Sequence, residues 1–230
     1  MKTKYLLTVP ENVEVDKATV ASIGENIETK GEIDYAIVSY KDSIEDALNA
    51  EFDKIKDSTY THVCIINNGS ILRDHARATA SKYVDNEECV YLPIVELCNE
   101  PVKAGESVVF RGFLNSSVWK PYFATEIGVL DLALSKRGVD LIMDGCYIPK
   151  KVATKFKLNP EVKHFSGFEY FNRIISAGVE VVGIPKITLR AIKDYELKNV
   201  SKEDKLKYFK LAQESAMTKD PVAVEASTEK

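Results

Sequence analysis

The sequence predicts an α/β fold: a mostly parallel sheet flanked by helices, with a helical extension at the C-terminus. Three observations carry that expectation. Short apolar runs alternate with longer amphipathic stretches through the first 100 residues, the pattern of successive strand–helix units. The run HVCII at 62–66 is apolar at nearly every position, as expected of a strand covered by helices on both faces. The chain has 230 residues, 45% of them hydrophobic, which is enough for one sizeable domain with a real core.

The elements follow in order. YLLTV (5–9) reads as a buried strand ended by Pro10. Residues 16–30 read as a helix capped by Asp16, with Val20, Ile23 and Ile27 at helical spacing. IDYAIVSY (33–40) is the second strand. Ser43, with Asp46 three residues on, marks a helix start, and Ala47, Leu48, Phe52 and Ile55 form its inward face. After the third strand (62–66) come the loop NNGS (67–70) and a polar helix over roughly 73–85. ECVYLPIVEL (88–97) is a strand, and 98–122 reads as an irregular connection holding VVF (108–110). A helix over 125–138 follows, with Gly138 at its C-terminus. LIMDGCYI (141–148) is a strand broken at Asp144–Gly145, a helix near 167–177 ends at Gly178, and VEVVGI (179–184) is another strand. The expected division is a main domain over 1–195, an amphipathic helix within 196–219 and a frayed tail over 220–230.

Composition narrows the function. With 31 Lys+Arg against 35 Asp+Glu the net charge is -4, which argues against a protein that coats a polyanion. No apolar stretch approaches the roughly 18 residues needed to cross a bilayer, and the charged N-terminus lacks a signal-peptide core. A soluble cytoplasmic protein is expected. Cys64, Cys89, Cys98 and Cys146 stand far apart without a CxxC pair, and are read as small hydrophobes rather than zinc ligands or disulfides. The sequence holds no Walker loop or GxGxxG, and His62, His75 and His164 have no recognisable nucleophile elbow.

Two stretches carry chemistry. In THVCIINNGSILRD (61–74) an apolar strand runs into Asn-Asn-Gly-Ser, then an apolar pair and a helix. Asn and Gly tolerate left-handed backbone and Ser caps helices, so a plain turn is one account of it. In MDGCYIPKKVATKF (143–156) and HFSGFEYFNRIISAGVEVVGIP (164–185), a strand–Gly turn leads to a basic pair, an acidic-aromatic helix start, Arg173, Gly178 and a strand.

In this order these stretches resemble GT-A-type glycosyltransferases of the inverting, nucleotide-sugar-dependent kind, whose Rossmann-like domain carries Asn-Asn-Asp-Thr or Asp-x-Asp after an apolar strand. IINNGSIL is similar to that form, with Gly69 for Asp and Ser70 for Thr. The resemblance covers roughly residues 4–72 and 141–190. It implies transfer of a sugar from a nucleotide-diphosphate donor to an acceptor hydroxyl, with Glu169 as the base. It places the donor against Pro10, Ser39, Asp42, the turn Asn67, Asn68, Gly69 and Ser70, and the cations Arg73, Lys150 and Lys151. Asp144 and Gly145 are expected on the acceptor side, and the aromatic cluster of Trp119 and Tyr122 beside Lys120 reads as core or lid packing or as a stacking surface for a sugar or base there. In that family a manganese or magnesium ion held by the last carboxylate of the motif stabilises the leaving diphosphate.

Gly69 departs from the pattern because glycine ligates no metal through a side chain. Three accounts stay open. The enzyme is metal-independent, with Arg73, Lys150 or Lys151 meeting the diphosphate; or Asp74 or Asp144 supplies a displaced metal ligand; or the fold is a catalytically silent binding or structural subunit. The acceptor is open between saccharide, protein and modified nucleic acid. The Lys-rich helix at 201–218 reads as a solvated face over an apolar stripe, with phosphate contact to nucleic acid or docking to a partner as the alternative.

Overall fold

The computed structural model describes residues 1–25, 35–84, 86–98, 110–114, 142–191 and 200–217. Strands β1 (Thr3–Pro10), β2 (Tyr35–Tyr40) and β3 (His62–Asn67) are joined through helices α1 (Lys17–Glu25) and α2 (Ile44–Lys54). They are followed by β4 (Ile71–Leu72), α3 (Ala76–Tyr83), β5 (Val90–Cys98) and β6 (Phe110–Leu114). Then come β7 (Tyr147–Pro149), α4 (Lys150–Lys155), a 3-10 segment (Pro160–Phe165), α5 (Ser166–Ser176), β8 (Val181–Ala191) and α6 (Lys202–Ala216). One sheet holds all eight strands in the order β2-β1-β3-β7-β5-β8-β4, with β6 beside β5.

Pairing fixes the edges of that sheet. β1 is parallel to β2 and to β3, and β5 is parallel to β8. The short β7 is antiparallel to both β3 and β5, so β3 and β5 run the same way. Five strands therefore end on one edge, called here the carboxyl edge. The fold is a mostly parallel sheet with helices on both faces, as the alternation of runs predicts.

The period-2 alternation of strand side chains divides the core between the two faces. On one face Leu6, Val38, Val63, Ile65 and Ile148 pack with Leu48 and Phe52 of α2 and with Phe171 and Ile174 of α5. On the other, Leu7, Cys64, Ile66 and Leu189 pack with Ile23 of α1 and with Ala76 and Ala80 of α3. The helix ends are as the sequence implies. The Ser43 hydroxyl accepts from the Asp46 amide at 3.0 Å and caps α2. At the end of α5, Val179 N donates to Ile174 O and Gly178 N to Ile175 O, both at 2.9 Å, with Gly178 at φ +88. This is the Schellman arrangement that a left-handed glycine permits.

Several boundaries differ from expectation. Ile71–Leu72 is a short strand rather than a lead-in to a helix, because β8 offers it an antiparallel partner. β8 continues through Pro185 to Ala191, with register shifts at Pro93/Ile94 and Ile94/Val95 of β5 absorbing the irregularity. The strand expected at 141–148 is confined to Tyr147–Pro149, and Lys150 and Lys151 open a helix. Phe110–Leu114, read as part of an irregular stretch, pairs with β5. The helix expected at 125–138 lies outside the described residues. All four cysteines are free and buried.

Candidate functional site

The carboxyl edge gathers the loops after β1, β2 and β3, which is where open α/β sheets place ligands. Its most ordered feature is the turn Asn67–Ser70, and nearly every polar group of that turn is engaged internally. The Asn67 amide donates to Asp144 Oδ1 at 2.9 Å, and the Thr8 hydroxyl donates to Asn67 Oδ1 at 2.7 Å. The Asn68 amide donates to Thr8 O at 3.0 Å. The Asn68 carboxamide accepts from Asp16 N at 2.8 Å and donates to Glu14 O at 3.0 Å, which fastens the β1–α1 loop across the edge. The Gly69 amide donates to Thr19 Oγ1 at 3.0 Å. The Ser70 amide donates to Asn67 O at 2.9 Å, and the Ser70 hydroxyl to Asp144 Oδ2 at 2.6 Å.

Two glycines make this possible. Gly69 sits at φ +90, and an added Cβ there would meet nothing within 4 Å, so its backbone conformation rather than space calls for glycine. Gly145 sits at φ +78 and donates its amide to Ile65 O at 2.7 Å. A Cβ at Gly145 would stand 3.2 Å from Leu189 Cδ2 and 3.3 Å from Pro93 Cγ, so both the backbone and the close approach require glycine.

The other donor-side candidates of this edge lie at or just beyond the ends of β1, β2 and β4. Pro10 ends β1, with Asn12 at φ 66 in the loop that follows. Ser39 is exposed and pairs in register with Val9, and Asp42 is exposed two residues beyond β2. Arg73 follows β4. Its guanidinium bonds the Glu96 carboxylate, which also accepts from Arg190 Nε at 3.1 Å. The side chains of Arg73, Arg190 and Glu96 are 34%, 23% and 15% exposed. Nothing in the sequence singles out Glu96 and Arg190, which are 94 residues apart and meet through the β5–β8 pairing.

The structure sets three groups of the expected site residues in settings of their own. Lys150 and Lys151 lie at the opposite edge: Pro149 pairs with His62, the first residue of β3, whereas the turn follows its last. Five strand residues separate the two levels, about 16 Å at 3.3 Å per residue. Lys150 Nζ donates to Ser58 O, and Lys151 Nζ to Glu88, both at 2.8 Å. Glu169 is 0% exposed. Its Oε1 accepts from Arg173 Nε and from the Ser215 hydroxyl, each at 2.6 Å, and Arg173 Nη2 continues to Lys157 O. The carboxylate is thus enclosed within its ion pair. The signal for it was available, since Glu169 and Arg173 stand at the i, i+4 spacing of a helical ion pair. Asp144 is 1% exposed, with both oxygens committed to the turn. Trp119 and Tyr122 lie outside the described residues.

These residues do not fit a divalent cation. Gly69 brings no side chain, the Asn67 and Asn68 side-chain oxygens accept from Thr8 and Asp16, and each Asp144 oxygen accepts a bond from the turn. Asp74 is exposed at the entrance to α3, and among the described residues no three His, Cys, Asp or Glu side chains come together. Near the edge, burial raises the Glu45 carboxyl pKa at the start of α2, opposed by hydrogen bonds from Ser166 and Ser43. At the amino edge a separate groove of about 490 Å³ is lined by Glu88, Cys89, Lys151, Phe156 and Glu180 among others. It holds none of the turn residues.

No family model and no curated protein matches this sequence. Solved structures match its fold. A crystal structure of TarS from S. aureus superposes with a TM-score of 0.60 at 11% identity, covering 92% of this chain and 39% of that one. TarS 1–349 gives 0.60 at 11% identity, covering 94% of this chain and 65% of that segment. Its complex with UDP-GlcNAc gives 0.55 at 12% identity over 94% and 66%. The fold is GT-A-like. This chain thus spans about two thirds of the TarS 1–349 segment and well under half of the longer TarS structure.

Two outcomes are expected from the buried carboxylates. Asp144→Ala removes two charge-assisted bonds, each contributing about 1.5–3 kcal/mol. A denaturant midpoint lowered to match, with broadened signals at Asn67–Ser70, is the expected result. Glu169→Gln leaves Arg173 buried without its counter-charge, and a loss of about 3–5 kcal/mol in unfolding free energy is expected. Urea titration of both variants beside the unaltered chain provides the check.

Proposed function

We propose that this chain binds a nucleotide-diphosphate sugar at its carboxyl edge and moves the sugar to an acceptor hydroxyl. The observation that carries this function is the fastening of the β1–α1 loop to the turn after β3 by Asn68 and Thr19. It creates one continuous rim, on the fold and edge expected for a sugar nucleotide. The TarS 1–349 complex with UDP-GlcNAc supports the same ligand class. In this proposal Pro10, Ser39 and Asp42 border the nucleoside, and Asn67–Ser70 with Arg73 border the diphosphate. Asp144 and Gly145 shape the rim rather than touch the acceptor.

An inverting displacement needs a carboxylate facing the acceptor hydroxyl. Glu169 is unsuited to that task by its burial. The same enclosure, together with Gly69, favours a second function, that of a binding subunit which holds a sugar nucleotide without transferring the sugar. A partner of either form that docks on α6 would meet Leu206 and Met217, 70% and 67% exposed, since Ala212 and Phe209 already pack on Phe165 and Phe168.

Thermal unfolding with UDP and UDP-GlcNAc, with and without manganese, tests the proposal. Ligand at about 100 times its dissociation constant adds roughly 2.7 kcal/mol. For a chain of this size that is a rise of about 5–10 °C in Tm. No rise with any nucleoside diphosphate overturns donor binding. A rise without UDP release from UDP-GlcNAc, across saccharide, protein and nucleic-acid acceptors, selects the binding subunit over the transferase.

A further inference from the structure

A donor diphosphate at the carboxyl edge needs positive charge, and the turn supplies none. Its three amides after Asn67 are already donated to Thr8, Thr19 and Asn67, and its donor set does not fit a cation. We infer that Arg73 and Arg190, anchored together on Glu96, form a metal-independent site for a diphosphate group. This rests on the carboxyl edge being the donor site.

Register places the three side chains. Across the sheet Ile71 of β4 pairs with Arg190 of β8, and Arg190 pairs with Glu96 of β5. Residues in such a row project to one face. Their neighbours Leu189 and Val95 are fully buried in the α1/α3 core, so Arg190 and Glu96 stand on the opposite face. Ile71 directly follows Ser70, and directly paired residues hold their Cβ atoms about 5 Å apart. Arg190 therefore sits beside the end of the turn. Arg73, three residues past Ser70, returns to the same point: both guanidiniums donate to Glu96 Oε2.

The charge arithmetic suits an anion. Among the described residues, two cations and one carboxylate leave this partly buried cluster a net charge of +1. Each guanidinium carries five N–H donors in a rigid fork, and one from each is directed at Glu96. The remaining forks match phosphate oxygens in the bidentate manner typical of arginine. Glu96 is a positioning residue: it offsets the repulsion between the guanidiniums and fixes their separation. The environment extends to Cys98, whose thiol pKa is raised by burial and then by the Glu96 charge, with both arginines opposing. Neither Lys150 nor Lys151 is available as an alternative, since both are at the other edge.

The test is isothermal titration of the full chain with inorganic pyrophosphate, UDP and UDP-GlcNAc, in EDTA and in manganese. Arg190→Met, Arg73→Gln and Glu96→Gln are titrated alongside, each checked for unchanged far-UV spectra. The expected result is pyrophosphate binding in EDTA, weakened at least tenfold by Arg190→Met and by Arg73→Gln, and severalfold by Glu96→Gln. Arg73 is on a partly exposed loop, so its variant remains informative if Arg190→Met fails to fold. Absence of pyrophosphate binding in EDTA, or equal affinity in the arginine variants, overturns the inference. In that case tight UDP-GlcNAc binding in manganese would leave the donor function standing. Conversely, arginine-dependent pyrophosphate binding with no gain for UDP or UDP-GlcNAc keeps the inference and removes the donor function.

Discussion

The carboxyl edge depends on one buried carboxylate. Asp144 takes the Asn67 amide on one oxygen and the Ser70 hydroxyl on the other, closing the turn after β3 against the chain that enters β7. Its neighbour Gly145 donates to Ile65 and packs against Pro93 and Leu189. This dipeptide therefore meets groups of β3, β5 and β8 at one place. Burying a charge is unfavourable unless its acceptor sites are filled. The bonds from Asn67 and Ser70 make Asp144 tolerable at 1% exposure.

Two ion-pair systems divide the remaining tasks. Glu169 and Arg173 are sealed between α5 and α6, and Ser215 joins them to the C-terminal helix. Removing either partner strands a buried charge, so this pair acts on structure. Glu96 with Arg73 and Arg190 is partly open to solvent and carries an excess of positive charge. Its members come from the end of β4, from β5 and from β8. Enclosure separates the roles of two otherwise similar clusters.

Local order was legible in the sequence, and long-range geometry much less so. The alternation of runs gave the parallel strands β1, β2 and β3, Ser43 gave the start of α2, and Gly178 gave the end of α5, each from short-range rules. Ile71–Leu72 was opaque as a strand, because two residues pair only when a distant partner is present. Lys150 and Lys151 enter as a diphosphate-binding pair through the resemblance alone, and order along the chain carries no information about which end of an antiparallel strand a residue occupies. Glu169 showed its helical spacing to Arg173 openly, yet its isolation depends on Ser215, 46 residues away. Arg190 carried no signal at all until β5 and β8 lay side by side.

The most direct measurement of where a nucleotide sits is amide chemical-shift mapping of the labelled chain titrated with UDP. Ligand on the carboxyl edge predicts the largest changes at Glu14–Thr19, Asn67–Arg73 and Leu189–Ala191, with little change around Glu88 and Lys151. Changes concentrated instead at the amino-edge groove, at Glu88, Lys151 and Gly178–Glu180, would contradict the placement of the site.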